Sequence, residues 1–138
     1  MAAKDKYHDI VCEALLKDGW TITDDPLQFE VDGRNIKIDL GAERLIGAEK
    51  DEEKIAIEVK SFIGVSQLYD LYTALGQFSY YYLALEKDQP ERTLYLAVPS
   101  SVYNGIFQEP LTAKALQKFD VSILVYDILK KSIATWKK

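Results

Sequence analysis

Cysteine and histidine are nearly missing from this chain: one of each, Cys12 and His8, in 138 residues. A single cysteine excludes an intrachain disulfide framework, a C-x-x-C zinc site and a four-cysteine cluster. The role expected for it is that of a small buried hydrophobe. Basic excess is missing as well. Seventeen Lys and Arg against 22 Asp and Glu leave a net charge of −5 and a pI near 4.9, which counts against a protein that coats nucleic acid by bulk electrostatics. A local basic groove, a metal at a reacting phosphate or a basic partner subunit remains compatible with that balance. No apolar run approaches the ~20 residues of a membrane span, and "MAAKDKYHDI" holds no apolar signal core. No membrane partner and a cytoplasmic location are therefore expected. Repeats, low-complexity tracts and linkers are absent too.

What is present is the composition of a folded globule, 48% hydrophobic and 28% charged, expected to form one domain over residues 1–138 and to bury roughly two-thirds of its unfolded surface. Tyr7, Val11, Ala14 and Leu15 recur at helical spacing, which predicts an amphipathic helix over Asp5 to Leu16 with Gly19 as its stop. Four extended runs follow, "LQFEV", "RNIKIDL", "RLIGAE" and "KIAIEVKSF", parted by turn signals at Asp32-Gly33, Gly41 and "KDEEK". Gln67 to Leu85 reads as a long helix ending before "KDQPER". "TLYLAVP" and "VSILVYD" read as strands buried on both faces. Ser100 is placed to cap a short helix, Leu111 to Phe119 gives another, and "SIATWKK" adds an edge strand. The order α-ββββ-α-β-α-β predicts an α/β fold, a mixed sheet with helices packed on it.

Chemistry enters through alternation. In "IAIEVKSF", Ile55, Ile57 and Val59 share one face while Glu58 and Lys60 point the other way. In "NIKIDL", Asp39 lies opposite the apolar Ile36, Ile38 and Leu40. Were those two strands neighbours, Asp39, Glu58 and Lys60 would share a face. Two carboxylates so placed can hold a hard cation such as Mg²⁺, with Lys60 reaching the same spot. A solvated sheet face carrying a surface Glu–Lys pair fits the same alternation. Gln77 and Tyr81 are i, i+4 on the long helix, hence on one face. His8 lines up with Val11, Cys12 and Leu15, which turns it toward the core, either as a satisfied core histidine or as a ligand.

Taken in order, His8, Asp39, Glu58-Val59-Lys60 and Gln77-x-x-x-Tyr81 resemble the site of the PD-(D/E)XK nuclease superfamily, and the trailing glutamine and tyrosine resemble its RecB-like branch. The predicted element order is similar to that superfamily's restriction-endonuclease-like core. The resemblance implies Asp39 and Glu58 as metal-ligand carboxylates, the Val59 carbonyl as a further ligand and Lys60 as the catalytic lysine. His8 becomes the first-helix site residue and metal ligand, and Gln77 and Tyr81 line the site. No proline precedes Asp39 directly, 18 residues separate Asp39 from Glu58, and the cysteines of iron–sulfur members are absent. Longer blocks, "ALLKDGWTITDDPL", "IDLGAERLIGAEKDEEKIAIEVKSF", "TALGQFSYYYLALE" and "ERTLYLAVP", resemble the XisH family, the fdxN-element excision controlling factors of cyanobacteria. That resemblance implies a small Mg²⁺- or Mn²⁺-dependent nuclease-like protein acting on DNA, with a companion XisI-like protein and, indirectly, a site-specific recombinase as partners. Its alternative is a non-catalytic accessory factor on the same fold.

Two surface features bear on partners. Lys114, Lys118, Lys130, Lys131, Lys137 and Lys138 lie toward the C-terminal end, as a phosphate-contacting patch or as an ordinary charged surface. Three consecutive tyrosines in "YYYLAL" cannot all face inward on a helix, so at least one is expected outward or in an interface. A homodimer through that helix is compatible with nucleases that cut two strands in pairs.

Overall fold

The structure, a computed structural model, describes residues 3–36 and 45–137. In chain order its elements are α1 (Ala3–Lys17), β1 (Thr21–Asp24), β2 (Phe29–Val31), β3 (Arg34–Ile36), β4 (Leu45–Lys50), β5 (Glu53–Val59) and α2 (Gln67–Asp88). Then come β6 (Arg92–Pro99), α3 (Ser100–Tyr103), a 3₁₀ turn (Ile106–Gln108), α4 (Pro110–Lys118), β7 (Ile123–Asp127) and β8 (Ser132–Lys137). Six strands form one mixed sheet in the order β1-β4-β5-β6-β7-β8, while β2 and β3 form a separate hairpin. β5–β6 and β6–β7 are parallel; the outer pairs are antiparallel. This is the expected α/β architecture, a mixed sheet flanked by helices, and it is consistent with a nuclease-like fold.

The strand alternation divides the apolar residues between two layers. Ile55, Ile57, Val59, Tyr95, Ala97 and Leu124 pack with Val11 and Leu15 of α1. Ala56, Leu94, Leu96, Val98, Ile123 and Val125 face the other way, against Leu71, Ala74, Phe78, Tyr81 and Leu85 of α2. Because β5, β6 and β7 are covered on both sides, their sequences run apolar without interruption. Leu27, Phe29 and Ile36 place the β2–β3 hairpin on the α2 side. Its two-residue turn has both central residues at positive φ, Asp32 at 53° and Gly33 at 79°, which is why Asp-Gly suits it.

The strand meander differs from the sequence reading in one strand. "TITD" is a strand that the pattern did not announce: β1 has only four residues, alternately exposed and half-buried, and its partner β4 lies about twenty residues on. The sequence leaves open whether "RNIKIDL" neighbours "KIAIEVKSF"; β5 has β4 and β6 as its neighbours and Arg34–Ile36 pairs with β2. Residues 37–44, Asp39 among them, lie outside the described residues. α2 also runs three residues beyond Leu85, to Asp88, where Lys87 bridges the hairpin's Asp32 at 3.0 Å. Its start is fixed by Ser66, whose hydroxyl accepts from the Tyr69 backbone N–H at 3.2 Å.

Gly47 marks where β1, β4 and β6 are tied across the sheet. The Arg92 guanidinium, at the start of β6, donates to the Ile55 carbonyl at 2.8 Å and to Asp24 at 3.2 Å. A Cβ at position 47 would sit 3.0 Å from the Asp24 carboxylate and 3.1 Å from Arg92.

Candidate functional site

Glu58 occupies the penultimate position of β5, on the face that carries Ala56 and meets α2. It is fully buried, and Lys60, two residues on, is 5% exposed. The ammonium of Lys60 lies 3.5 Å from the Glu58 carboxylate. From above, Gln77 of α2 offers its side-chain oxygen, to which Lys60 donates a short hydrogen bond. Tyr81 follows one turn further along α2 and is buried at 6% exposure. Glu58, Lys60 and Gln77, singled out in the sequence, therefore converge between β5 and α2, with Tyr81 buried one turn along the helix. A solvated sheet face, the plainer reading of the Glu–Lys alternation, is incompatible with this burial.

The Lys60 main chain is held as firmly as its side chain. Its N–H donates to the Ala97 carbonyl at 2.9 Å, continuing the parallel ladder beyond β5. Its carbonyl accepts from the Tyr126 hydroxyl at 3.0 Å. Tyr126 was not among the sequence candidates. The signal was present in "VSILVYD": a tyrosine in a doubly covered strand needs a partner for its hydroxyl. Two residues after Lys60 the chain turns through Phe62, which is buried and adopts a φ of 58°, a region that bulky residues rarely enter. Its ring is held edge-on by Phe107 at 5.5 Å.

His8 is buried on α1, as its alignment with Val11 and Leu15 predicts. Its described partners lie elsewhere than Glu58. Its Nε2 is 3.0 Å from the Asp25 carboxylate and 3.6 Å from the Cys12 sulfur. α1 packs on the sheet face opposite α2. Cys12, expected as a buried hydrophobe, is only half-buried, and its sulfur meets polar groups; Asp25 was not singled out at all. Spacing alone could place Cys12 one turn from His8, but only the fold brings in Asp25 from the loop after β1.

The described lysines of the C-terminal end are exposed. Lys130 and Lys131 sit in the β7–β8 turn, where the Lys130 carbonyl accepts from Lys17 of α1 at 2.9 Å. Lys137 lies at the far end of β8, about 20 Å away along the strand, in a cleft with Gln117 and Asp120. Lys114 and Lys118 are on α4, and Lys138 lies outside the described residues. Tyr80 and Tyr82 are exposed, where "YYYLAL" predicts at least one outward tyrosine, and share the outer flank of α2 with Leu68, Tyr69, Tyr72 and Leu83.

A mixed sheet flanked by helices, with a buried Glu-x-Lys pair at the end of β5, defines the class: an α/β protein consistent with a nuclease-like fold. Comparison with known proteins makes the assignment particular. The XisH protein family matches residues 1–134, and the chain belongs to the XisH family. The crystal structure of an XisH family protein from Nostoc punctiforme PCC 73102 is similar with a TM-score of 0.90 at 44% identity, covering 97% of this chain and 100% of that one. That of an fdxN element excision controlling factor protein from Anabaena variabilis gives a TM-score of 0.90 at 44% identity, covering 97% and 99%. No curated protein matches the chain. Among the described residues no helix is long and apolar enough to cross a membrane.

Proposed function

We propose that this protein is a divalent-metal-dependent, nuclease-like factor that acts on DNA during the controlled excision of a DNA element. The observation that carries the reading is the sealed cluster of Glu58, Lys60 and Gln77 at the end of β5. A carboxylate and an ammonium taken out of water add little net stability and often reduce it. Their placement at the C-terminal end of a central strand, beside a strained Phe62, is what a working site calls for.

The donors present suit a hard cation. The Glu58 carboxylate and the Val59 carbonyl are oxygen ligands of the kind that hold Mg²⁺ or Mn²⁺, with Asp39 as the second carboxylate by family resemblance. What such an ion supplies when bound is polarisation of a phosphate oxygen and a more acidic water. The chain's own part is positional. Gln77 orients the Lys60 ammonium, Tyr126 and Ala97 fix the backbone from which that side chain extends, and Tyr81 closes the adjacent turn of α2. Lys60 thereby offers a fixed positive charge where negative charge builds on a phosphate.

A second reading, an accessory factor on a nuclease fold, is favoured by a different observation. Glu58 is 0% exposed, whereas α2 displays an outer flank of Leu68, Tyr69, Tyr72, Tyr80 and Leu83. A companion XisI-like protein, a recombinase or a second copy of this chain could cover that flank, and the Anabaena variabilis relative is itself named for control of excision.

Cleavage of supercoiled, linear, branched and single-stranded DNA, with Mg²⁺ or Mn²⁺ and with or without the companion, separates the two. The nuclease reading expects nicking by the wild type and none by Glu58→Gln, a change of nearly equal volume whose fold is checked by circular dichroism. Absence of cleavage on every substrate leaves the accessory reading.

A further inference from the structure

We propose that His8, Cys12 and Asp25 form a second metal site, suited to Zn²⁺ and similar transition ions and separate from the Glu58–Lys60 cluster. His8 and Cys12 are four residues apart on α1, so their side chains stand one above the other on one helix face. Asp25 arrives from the loop after β1, bringing a third donor of a third type. The three atoms are mutually close: His8 Nε2 to Asp25 Oδ2 is 3.0 Å, Cys12 Sγ to Nε2 is 3.6 Å, and Sγ to Oδ2 is 3.9 Å. They form the group of potential metal ligands found among the described residues.

Those distances can be tested against metal geometry. Zinc binds nitrogen and oxygen at about 2.0–2.2 Å and sulfur at about 2.3 Å, so tetrahedral ligands stand about 3.3–3.6 Å apart. The triangle drawn by the three measured distances has a circumradius of about 2.1 Å, so one ion just off its plane reaches all three at ordinary bond lengths. A hydrogen-bonded histidine and aspartate do not by themselves require a sulfur at that third corner. Softness sets the ion class: thiolate with imidazole selects zinc-like metals, whereas Mg²⁺ prefers sites of oxygen alone.

The surroundings favour a preformed site. His8 is 5% exposed, so its ring is held by packing. Its Nε2 points into the group, and its Nδ1 has no hydrogen-bond partner among the described residues. Cys12 and Asp25 are half-buried and exposed, respectively, which leaves an entry path for an ion. Bound there, an ion would pin α1 to the end of β1.

Co²⁺ titration of the metal-free protein tests this without DNA. One equivalent is expected to produce a thiolate-to-cobalt charge-transfer band in the near ultraviolet. Cys12→Ser should abolish the band, and Asp25→Asn should weaken binding by about tenfold or more. Glu58→Gln should leave it intact, so failure here and failure of the nuclease reading are told apart. Zn²⁺ should raise the melting temperature of the wild type and not of Cys12→Ser. Absence of the band, its persistence in Cys12→Ser, or its loss in Glu58→Gln overturns the proposal.

Discussion

Beneath α2 the sheet encloses a full ion pair, Glu58 with Lys60, whose side chains are 0% and 6% exposed. On α1, against the opposite face, the polar group is His8 with Asp25, and there the Asp25 side chain is 30% exposed. The difference is one of solvent. On the α2 side the charges depend entirely on each other and on groups such as Gln77, because water cannot screen or solvate them. On the α1 side water reaches the Asp25 carboxylate and shares the task of solvating it. The closed pair excludes water; the open rim admits it.

Lys60→Ala should break this contrast most severely. It removes a counter-charge of a fully buried carboxylate, and such losses cost about 3–5 kcal/mol, measurable as a lower denaturant midpoint. Replacing both charges, as Glu58→Gln with Lys60→Met, should recover most of that loss while leaving DNA cleavage abolished. Gln77→Leu should cost about 1.5–3 kcal/mol, the range for a hydrogen bond to a charged group, since Lys60 then loses a buried acceptor. Asp25→Asn, on the open side, should cost only about 1 kcal/mol in metal-free buffer. If Asp25→Asn proves as costly as Lys60→Ala, the contrast between the two faces is wrong.

The smallest effect concerns pH. Burial first, and the Glu53 carboxylate second, push the Tyr95 phenol above its ordinary value of 10.0. The folded chain therefore holds that proton more tightly than the unfolded chain. Its stabilising contribution is complete below the unfolded phenol's pKa and is lost as pH rises through the folded value. Tyr95→Phe should flatten that decline, seen by comparing denaturation midpoints from about pH 9 upward.

Much of the α2 side was legible in the sequence because its determinants are local. Glu58 and Lys60 declare their shared face through strand alternation, and Gln77 and Tyr81 through helical spacing. The buried strands β6 and β7 announce themselves as unbroken apolar runs. Legibility failed where pairing is non-local. β1 is too short and too exposed to carry a pattern, and nothing within "RNIKIDL" reveals that its start folds back on β2 and not beside β5. Tyr126 reaches Lys60 from a strand 66 positions away, a contact set by the parallel crossover order. Asp25 meets His8 only because β1 runs along the edge of the sheet close to α1. Family resemblance supplied the roles of the site residues, but it grouped His8 with Glu58, while the described contacts of His8 are with Asp25 and Cys12.

The separateness of the two faces can be read in one titration. Mn²⁺ binding, followed by loss of the free-ion paramagnetic resonance signal, is measured in protein first loaded with one equivalent of Co²⁺. If Glu58 and its neighbours hold the hard cation while His8, Cys12 and Asp25 hold the soft one, Mn²⁺ binds Co²⁺-loaded and metal-free protein alike, and Glu58→Gln alone removes it. Displacement of Mn²⁺ by Co²⁺, or Mn²⁺ binding that survives Glu58→Gln, would contradict two distinct sites.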